Sequence, residues 1–384
     1  MPDSTFHSKL KKQFNILLKK SCNIDLLKMD SLPGDASKRK YFRLYHDEGT
    51  LIGVYGQDDR ENRSFIYFCK HLYSLRLPVP MLYTSSIDKG IYIIEDMGDE
   101  TLAERISSPS ISREEVLSLY IQSAKDLVDF QILGHVGIDY EHNCHQSPVF
   151  DRKNIEDDLR YFMNNFFVLA DDYLKIPRIE NELNRLTDIL AGHQPMFFLY
   201  RDFQCRNIMV RPDRSLGYVD FQAGRQGPLQ YDVATLLYAS KANISDEERK
   251  IILSSYLNKL EIVIASRKGP KGIGKVLDSA RLVTRNDFMS SYYFFVLFRI
   301  LRALGVYLFL AVQEGHWRFL EGVPEASKNL MSIFYGQSFL GKAFPQLQKF
   351  AQRLSTEDAF LSPTKLISLI SSRCIPLPLP EAGI

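Results

Sequence analysis

The sequence predicts an α+β chain of two lobes: a small antiparallel sheet backed by one main helix, then a larger and mostly helical lobe. Short apolar segments punctuated by turn residues fill the first hundred positions in the order strand, strand, helix, strand, strand. From Thr101 onward, apolar residues recur instead at helical spacing. The chain has 384 residues, 45% of them hydrophobic and 24% charged. That is ample apolar material for a core, and a length suited to two or three domains or lobes.

Thr5–Lys20 reads as an amphipathic helix, with Lys9, Lys11, Lys12, Lys19 and Lys20 on a solvated face and Phe14, Ile16, Leu17 and Leu18 beneath. Residues 31–37, which include Pro33 and Gly34, mark a turn. Tyr41–Tyr45 and Thr50–Tyr55 read as strands around the turn at 46–49. Asn62–Leu75 carries Phe65, Ile66, Phe68, Cys69, Leu72 and Leu75 at roughly helical spacing, and Met81–Ser86 and Gly90–Glu95 form a further strand pair. Residues 96–99 mark the boundary, giving a first lobe of 1–97 and a second of 98–384. In the second, helices are expected at Arg113–Leu133, Asn154–Leu169, Ile179–Ala191, Asp246–Leu260, Arg285–Gln313, Pro324–Ile333 and Pro345–Arg353. Region 197–222 breaks the helical pattern with short β segments at Phe197–Tyr200, Ile208–Val210 and Gly217–Asp220. The tail at 375–380 alternates proline and reads as extended.

Net charge is +2, which gives no bulk electrostatic case for nucleic acid or a membrane surface. Five scattered cysteines without a CxxC make no disulfide framework and point to a reducing compartment. No apolar leader opens the sequence. Tyr292–Val312 is about as long as a membrane span, but Arg299 and Arg302 sit on one face in its middle, where a bilayer makes charge costly. A buried helix offering two arginines to a polar pocket or a carboxylate fits better. The expectation is a cytoplasmic chain without nucleic-acid or membrane partners, of undetermined oligomeric state.

The chemistry concentrates in Tyr200–Met209 and Tyr218–Phe221. Asp202 lies five residues before Asn207, and Asp220 follows thirteen residues later, all flanked by apolar segments. One carboxylate that accepts the proton of an attacking hydroxyl, with an amide oxygen and a second carboxylate holding Mg²⁺ on the phosphates, is the equipment of phosphoryl transfer from ATP. Taken singly, such residues are turn and cap formers. Their order, with Asp-Phe-Gln at 220–222 and Tyr231-Asp232 beyond, favours the catalytic account.

These segments, with residues 32–43, 94–98, 227–237 and 302–306, resemble the aminoglycoside phosphotransferase and choline kinase superfamily, whose fold is similar to that of protein kinases. More narrowly, they look like the cell-wall kinases that phosphorylate the anomeric hydroxyl of N-acetylmuramate and N-acetylglucosamine. The resemblance implies ATP and Mg²⁺ as cofactors and a small-molecule acceptor, an amino sugar first. It makes Asp202 the catalytic base, Asn207 and Asp220 the metal ligands, and Asp232 a brace for the catalytic loop. Gly34 and Ser37 fall where the family covers the ATP phosphates, and Glu95 and Met97 where an interlobe hinge pairs with adenine.

The departures are as informative. The third strand, residues 51–56, lacks the lysine that holds the α/β-phosphates in many kinases, leaving Arg39 or Arg43 as substitute cations. Glu61 matches the family's helix glutamate, or is a solvated helix-start carboxylate. Tyr200 replaces a histidine and keeps an aromatic packing role. Arg225 either faces the acceptor or the transferring phosphate, or lies on a surface loop. Cys205 reads as a small packing residue. His135, His142, Cys144 and His145 fit no standard zinc spacing and are alternatively pocket-lining. Other acceptors (an aminoglycoside, choline, a homoserine-like metabolite) or a non-catalytic nucleotide-binding module are the alternative accounts.

Overall fold

The computed structural model describes residues 2–33, 39–167, 169–170, 178–193, 196–266 and 269–372. Its N-terminal part is a five-stranded antiparallel sheet: β1 (Lys28–Leu32), β2 (Lys40–His46), β3 (Gly49–Tyr55), β4 (Leu82–Ser86) and β5 (Ile91–Glu95), in the order β1-β2-β3-β5-β4. Period-two alternation sorts its side chains between two helices. Phe42, Leu44, Leu51, Ile91 and Ile93 share a core with Leu10, Phe14 and Leu18 of α1 (Pro2–Cys22). Val54, Tyr92 and Ile94 belong to the main core with Phe65, Phe68 and Leu72 of α2 (Asp59–Ser74). Gly53 lets α1 sit close, since a Cβ there would meet the Phe14 ring and Leu44 at 2.9 Å. α2 starts on Asp58, whose side chain accepts from the Arg60 and Glu61 amides, so Glu61 stands in the first turn.

β1 is a strand where the sequence suggests only the approach to a turn. Of Lys28-Met29-Asp30-Ser31-Leu32 only Met29 is buried, as suits an edge strand with no alternating apolar signal. Beyond Glu95 the chain turns mostly helical. β6 (Glu100–Thr101), β8 (Ile208–Val210) and β9 (Leu216–Tyr218) form a small sheet, and β7 (Phe197–Leu199) pairs with β10 (Arg225–Gly227). The helix expected at Asn154–Leu169 runs as α-helix over Arg152–Phe162 and widens into a π-turn at Met163–Phe167. A helix at Ile273–Arg281 had no counterpart in the sequence expectations.

The long helix Arg285–Val312 is apolar enough to cross a membrane by composition, yet 67% of its most apolar window is buried within the protein. Arg302 Nε donates to Asp158 Oδ1 at 3.0 Å, and Arg299 Nη1 donates to the Tyr231 hydroxyl at 2.7 Å. Gly305, one turn beyond Arg302, permits this approach: a Cβ there would lie 2.7 Å from the Phe162 Cα. The carboxylate and polar partners expected for this arginine pair are therefore present.

Candidate active site

β7 delivers Tyr200, Arg201 and Asp202, the helical turn Cys205–Asn207 leads into β8, and β9 delivers Val219 and Asp220. Three bonds close this corner. Asn207 Nδ2 donates to the Asp202 carbonyl at 2.8 Å, the Val219 N–H to the Asn207 carbonyl at 3.0 Å, and the Tyr200 hydroxyl to the Val219 carbonyl at 2.6 Å. Asn207 Nδ2 also lies 3.4 Å from Asp220 Oδ2. The structure thus gathers Asp202, Asn207 and Asp220 in one place.

Arg201 and Asp220 both have left-handed backbone, with φ of 82° and 70°. Such conformations cost about 1–3 kcal/mol for a non-glycine residue and persist only when their surroundings enforce them. Here Asp232 enforces the first: its buried carboxylate accepts the Tyr200 N–H at 2.7 Å and the Arg201 N–H at 2.9 Å. Burial pushes this carboxyl up to about 7 against those two donors. The helix carrying it, Leu229–Tyr238, has Pro228 at its N-cap position and no side-chain cap, so Asp232 braces the loop from inside the helix instead of capping it. Behind Asp202, Arg201 donates to Asp158 Oδ2 at 2.7 Å and to the Tyr231 hydroxyl at 2.6 Å, sharing each acceptor residue with the long helix. Burial alone would raise Asp158; Arg302 and Arg201 overcome it and hold the carboxyl down at about 2.

Aromatic rings fix the second carboxylate's segment. Phe221 stacks on Phe65 at 4.8 Å, Phe65 on Tyr92 at 4.9 Å, and Tyr200 stands edge-on to Phe130 at 5.5 Å. Ser64 Oγ and the His145 ring both bond the Gln222 carbonyl, at 2.8 and 2.9 Å, and Cys144 Sγ donates to the Gly224 carbonyl at 3.2 Å. His145 and Cys144 are clamps on this loop. His135 bonds Tyr140 and His142 bonds Asp139. Among the described residues no group of three or more His, Cys, Asp or Glu side chains could hold a metal ion. Cys205 is buried, and burial raises its thiol pKa, as suits a packing residue.

On the opposite side of Asp220, Oδ1 accepts from Arg39 Nη2 at 2.8 Å and from Gln222 Nε2 at 2.9 Å. Arg39 Nη2 also stands 3.4 Å from Glu61 Oε1, so Glu61 is a paired carboxylate. The donor set suits Mg²⁺: Asn207 commits Nδ2 to the protein and leaves its amide oxygen, and Asp220 adds Oδ2, both hard oxygen ligands.

Two expectations are corrected. Arg43 does not join this cluster. It lies four residues further along the same strand face, roughly 13 Å on at ~3.3 Å per residue, and bonds Asp96 Oδ2 at 2.7 Å, the Gly98 carbonyl at 3.3 Å, and Asp99. Arg43 therefore ties the sheet to the segment 96–99. Nor does Arg225 face the cleft or a surface: it is 3% exposed and donates to Asn154 Oδ1 at 2.6 Å, to Gln146 and to the Ala223 carbonyl. Proximity in sequence to Asp220 carries no information about which way β10 points.

At the end of β5, the Glu95 side chain accepts the Met81 N–H at 3.0 Å and pairs with Arg211 at 3.3 Å, and just past it Met97 is buried against Gly217. Gly34 and Ser37 lie outside the described residues. Asp158 is a participant that the sequence did not single out, and Tyr231 and Gln222 were noted there only as neighbours of Asp232 and Asp220, without a role.

Comparison with known proteins follows the same lines. A model of the phosphotransferase enzyme family (APH) matches residues 29–267. The N-acetylmuramate/N-acetylglucosamine kinase of Pseudomonas aeruginosa is 23% identical over 298 residues, covering 76% of this chain and 79% of its own length. The enzyme of the same name from Neisseria meningitidis is 25% identical, covering 53% of this chain and 59% of its own. A choline/ethanolamine kinase family protein from Mesorhizobium loti shares the fold, with a TM-score of 0.56 at 12% identity over 89% of this chain and 99% of that one.

Proposed function

Because this chain belongs to the phosphotransferase enzyme family and is a kinase, we propose that it transfers the γ-phosphoryl group of ATP to the anomeric hydroxyl of an N-acetylated amino sugar. The single observation that carries the reading is the Asp202–Asn207–Asp220 corner, closed by Asn207 and held in a strained backbone by Asp232. The Asp202 carboxylate takes the proton of the acceptor hydroxyl as that oxygen bonds to the γ-phosphorus and the bond to the β-phosphate oxygen breaks, releasing ADP. Asn207 Oδ1 and Asp220 Oδ2 would hold Mg²⁺, which would supply charge neutralisation on the phosphates when bound. The Glu95 and Met97 backbone receives adenine.

Acceptor choice rests on the sugar-kinase relatives. An ADP-release assay over N-acetylglucosamine, N-acetylmuramate, glucose, choline and an aminoglycoside tests this. Turnover is expected with the acetamido sugars, giving a product that has lost its reducing end. Turnover confined to the cationic acceptors, or a sugar phosphate that still reduces, overturns the assignment.

A further inference from the structure

The inner face of β3 carries Ile52 and Val54, and Val54 is fully buried opposite Tyr41 and Tyr92. No cation stands on that face of the third strand. One strand over, Arg39 precedes β2 beside Gly56, where a Cβ would come within 3.2 Å of the Arg39 Cγ. From there its guanidinium reaches behind Val54. Nη2 serves Asp220 Oδ1 at 2.8 Å and Glu61 Oε1 at 3.4 Å, while Nη1 lies 3.5 Å from the Tyr92 hydroxyl. Arg39 itself is 4% exposed, but the two carboxylates flanking it are open, 27% for the Glu61 side chain and 34% for Asp220. The cation thus stands directly behind two exposed acids.

We propose that Arg39, supplied by the second strand, is the phosphate-binding cation of this enzyme, joining Glu61, Asp220 and the ATP phosphates in place of a third-strand residue. Three anionic groups converging within hydrogen-bond range repel one another unless a cation lies among them. A planar guanidinium with five donors can serve two carboxylates on one edge and a phosphate oxygen on another, which a third-strand lysine does with a single point charge. Gln222 completes the arrangement by taking the remaining approach to Asp220 Oδ1, so that the carboxylate presents Oδ2 on the Asn207 side.

The inference rests on the ATP reading above, and nucleotide binding separates the two. Calorimetric titration of the full chain with adenosine and with Mg·ADP gives the preference for the phosphorylated ligand. Arg39→Ala and Arg39→Gln are expected to weaken Mg·ADP by about tenfold or more, the loss of at least one charge-assisted bond, while adenosine stays within about twofold. Adding Val54→Lys to Arg39→Ala, which returns a cation to the third strand, is expected to recover part of the loss. Arg39→Gln serves as the reference if the alanine variant fails to fold, judged by its thermal transition. An unchanged ADP-to-adenosine ratio in either folded variant overturns the proposal and leaves the kinase reading intact. A wild-type chain that binds neither ligand overturns both.

Discussion

Asp220 is gripped by Arg39 and Gln222 yet remains about a third exposed, whereas behind the loop that carries Asp202 the Asp158 carboxylate is locked between Arg201 and Arg302 with 16% of its side chain exposed. Each carboxylate meets guanidinium, but the surroundings differ. Asp220 keeps one oxygen facing an amide at 3.4 Å, a loose contact that a metal ion can replace. Asp158 has both oxygens committed, one to each arginine, and those arginines reach onward to Tyr231 and the long helix. Charge in the first place is available for chemistry. In the second it is consumed in fixing the loop that carries Asp202.

Several substitutions would break or sharpen this contrast. The largest effect is expected from Asp202→Asn, which removes the proton acceptor and leaves both networks untouched: turnover should fall by about two to four orders of magnitude with nucleotide affinity nearly unchanged. Near-normal turnover would remove Asp202 from the mechanism. Next comes Asp158→Asn, which strands two largely buried guanidiniums; breaking a buried pair from one side typically costs about 3–5 kcal/mol, read from denaturant unfolding. A loss under about 1 kcal/mol would show that the network behind the loop is not structural.

Acid gives a milder probe of the same pair. With Asp158 held at about 2 against an ordinary 3.8, its stabilising contribution is full above that ordinary value and is lost as the pH falls from 3.8 through about 2. The difference amounts to about 2 kcal/mol, and the Asp158→Asn variant should lack this component of the acid transition. The smallest effect is expected from Glu61→Gln. This pair is longer and partly exposed, so KM for ATP should rise by roughly threefold and stability should shift by less than about 1 kcal/mol. A change as large as that for Asp158→Asn would erase the distinction between the two sides.

Element type was legible in the sequence wherever burial imposes a clear period. α2 recurs at helical spacing because it packs one face against the core, whereas β3 and β5 stand out as apolar runs between turn residues because both faces of the sheet are packed. β1 was not legible, because an edge strand with one buried side chain carries no pattern. Within the site, the chain order of Asp202, Asn207 and Asp220 revealed their grouping, since a single hairpin-like segment joins them. Arg39 and Arg43 were indistinguishable, because a two-residue period puts both on one face and only the approach of Glu61 and Asp220 selects between them. Asp158 left no signal. Its partners lie 43 and 144 residues away, and a pairing across such separations exists only once the helices have packed.

The long apolar helix has one further consequence. Its two arginines, three residues apart, engage different parts of the protein: Arg302 meets the helix bearing Asp158, and Arg299 meets Tyr231 beside the Asp232 brace. The helix therefore works as an indexing bar, whose rotational phase sets where the catalytic loop sits. Each residue added to an α-helix turns everything beyond it by ~100°. One inserted residue between Arg299 and Arg302 would leave the hydropathy of the segment nearly unchanged and still put Tyr231 and Asp158 out of phase with each other.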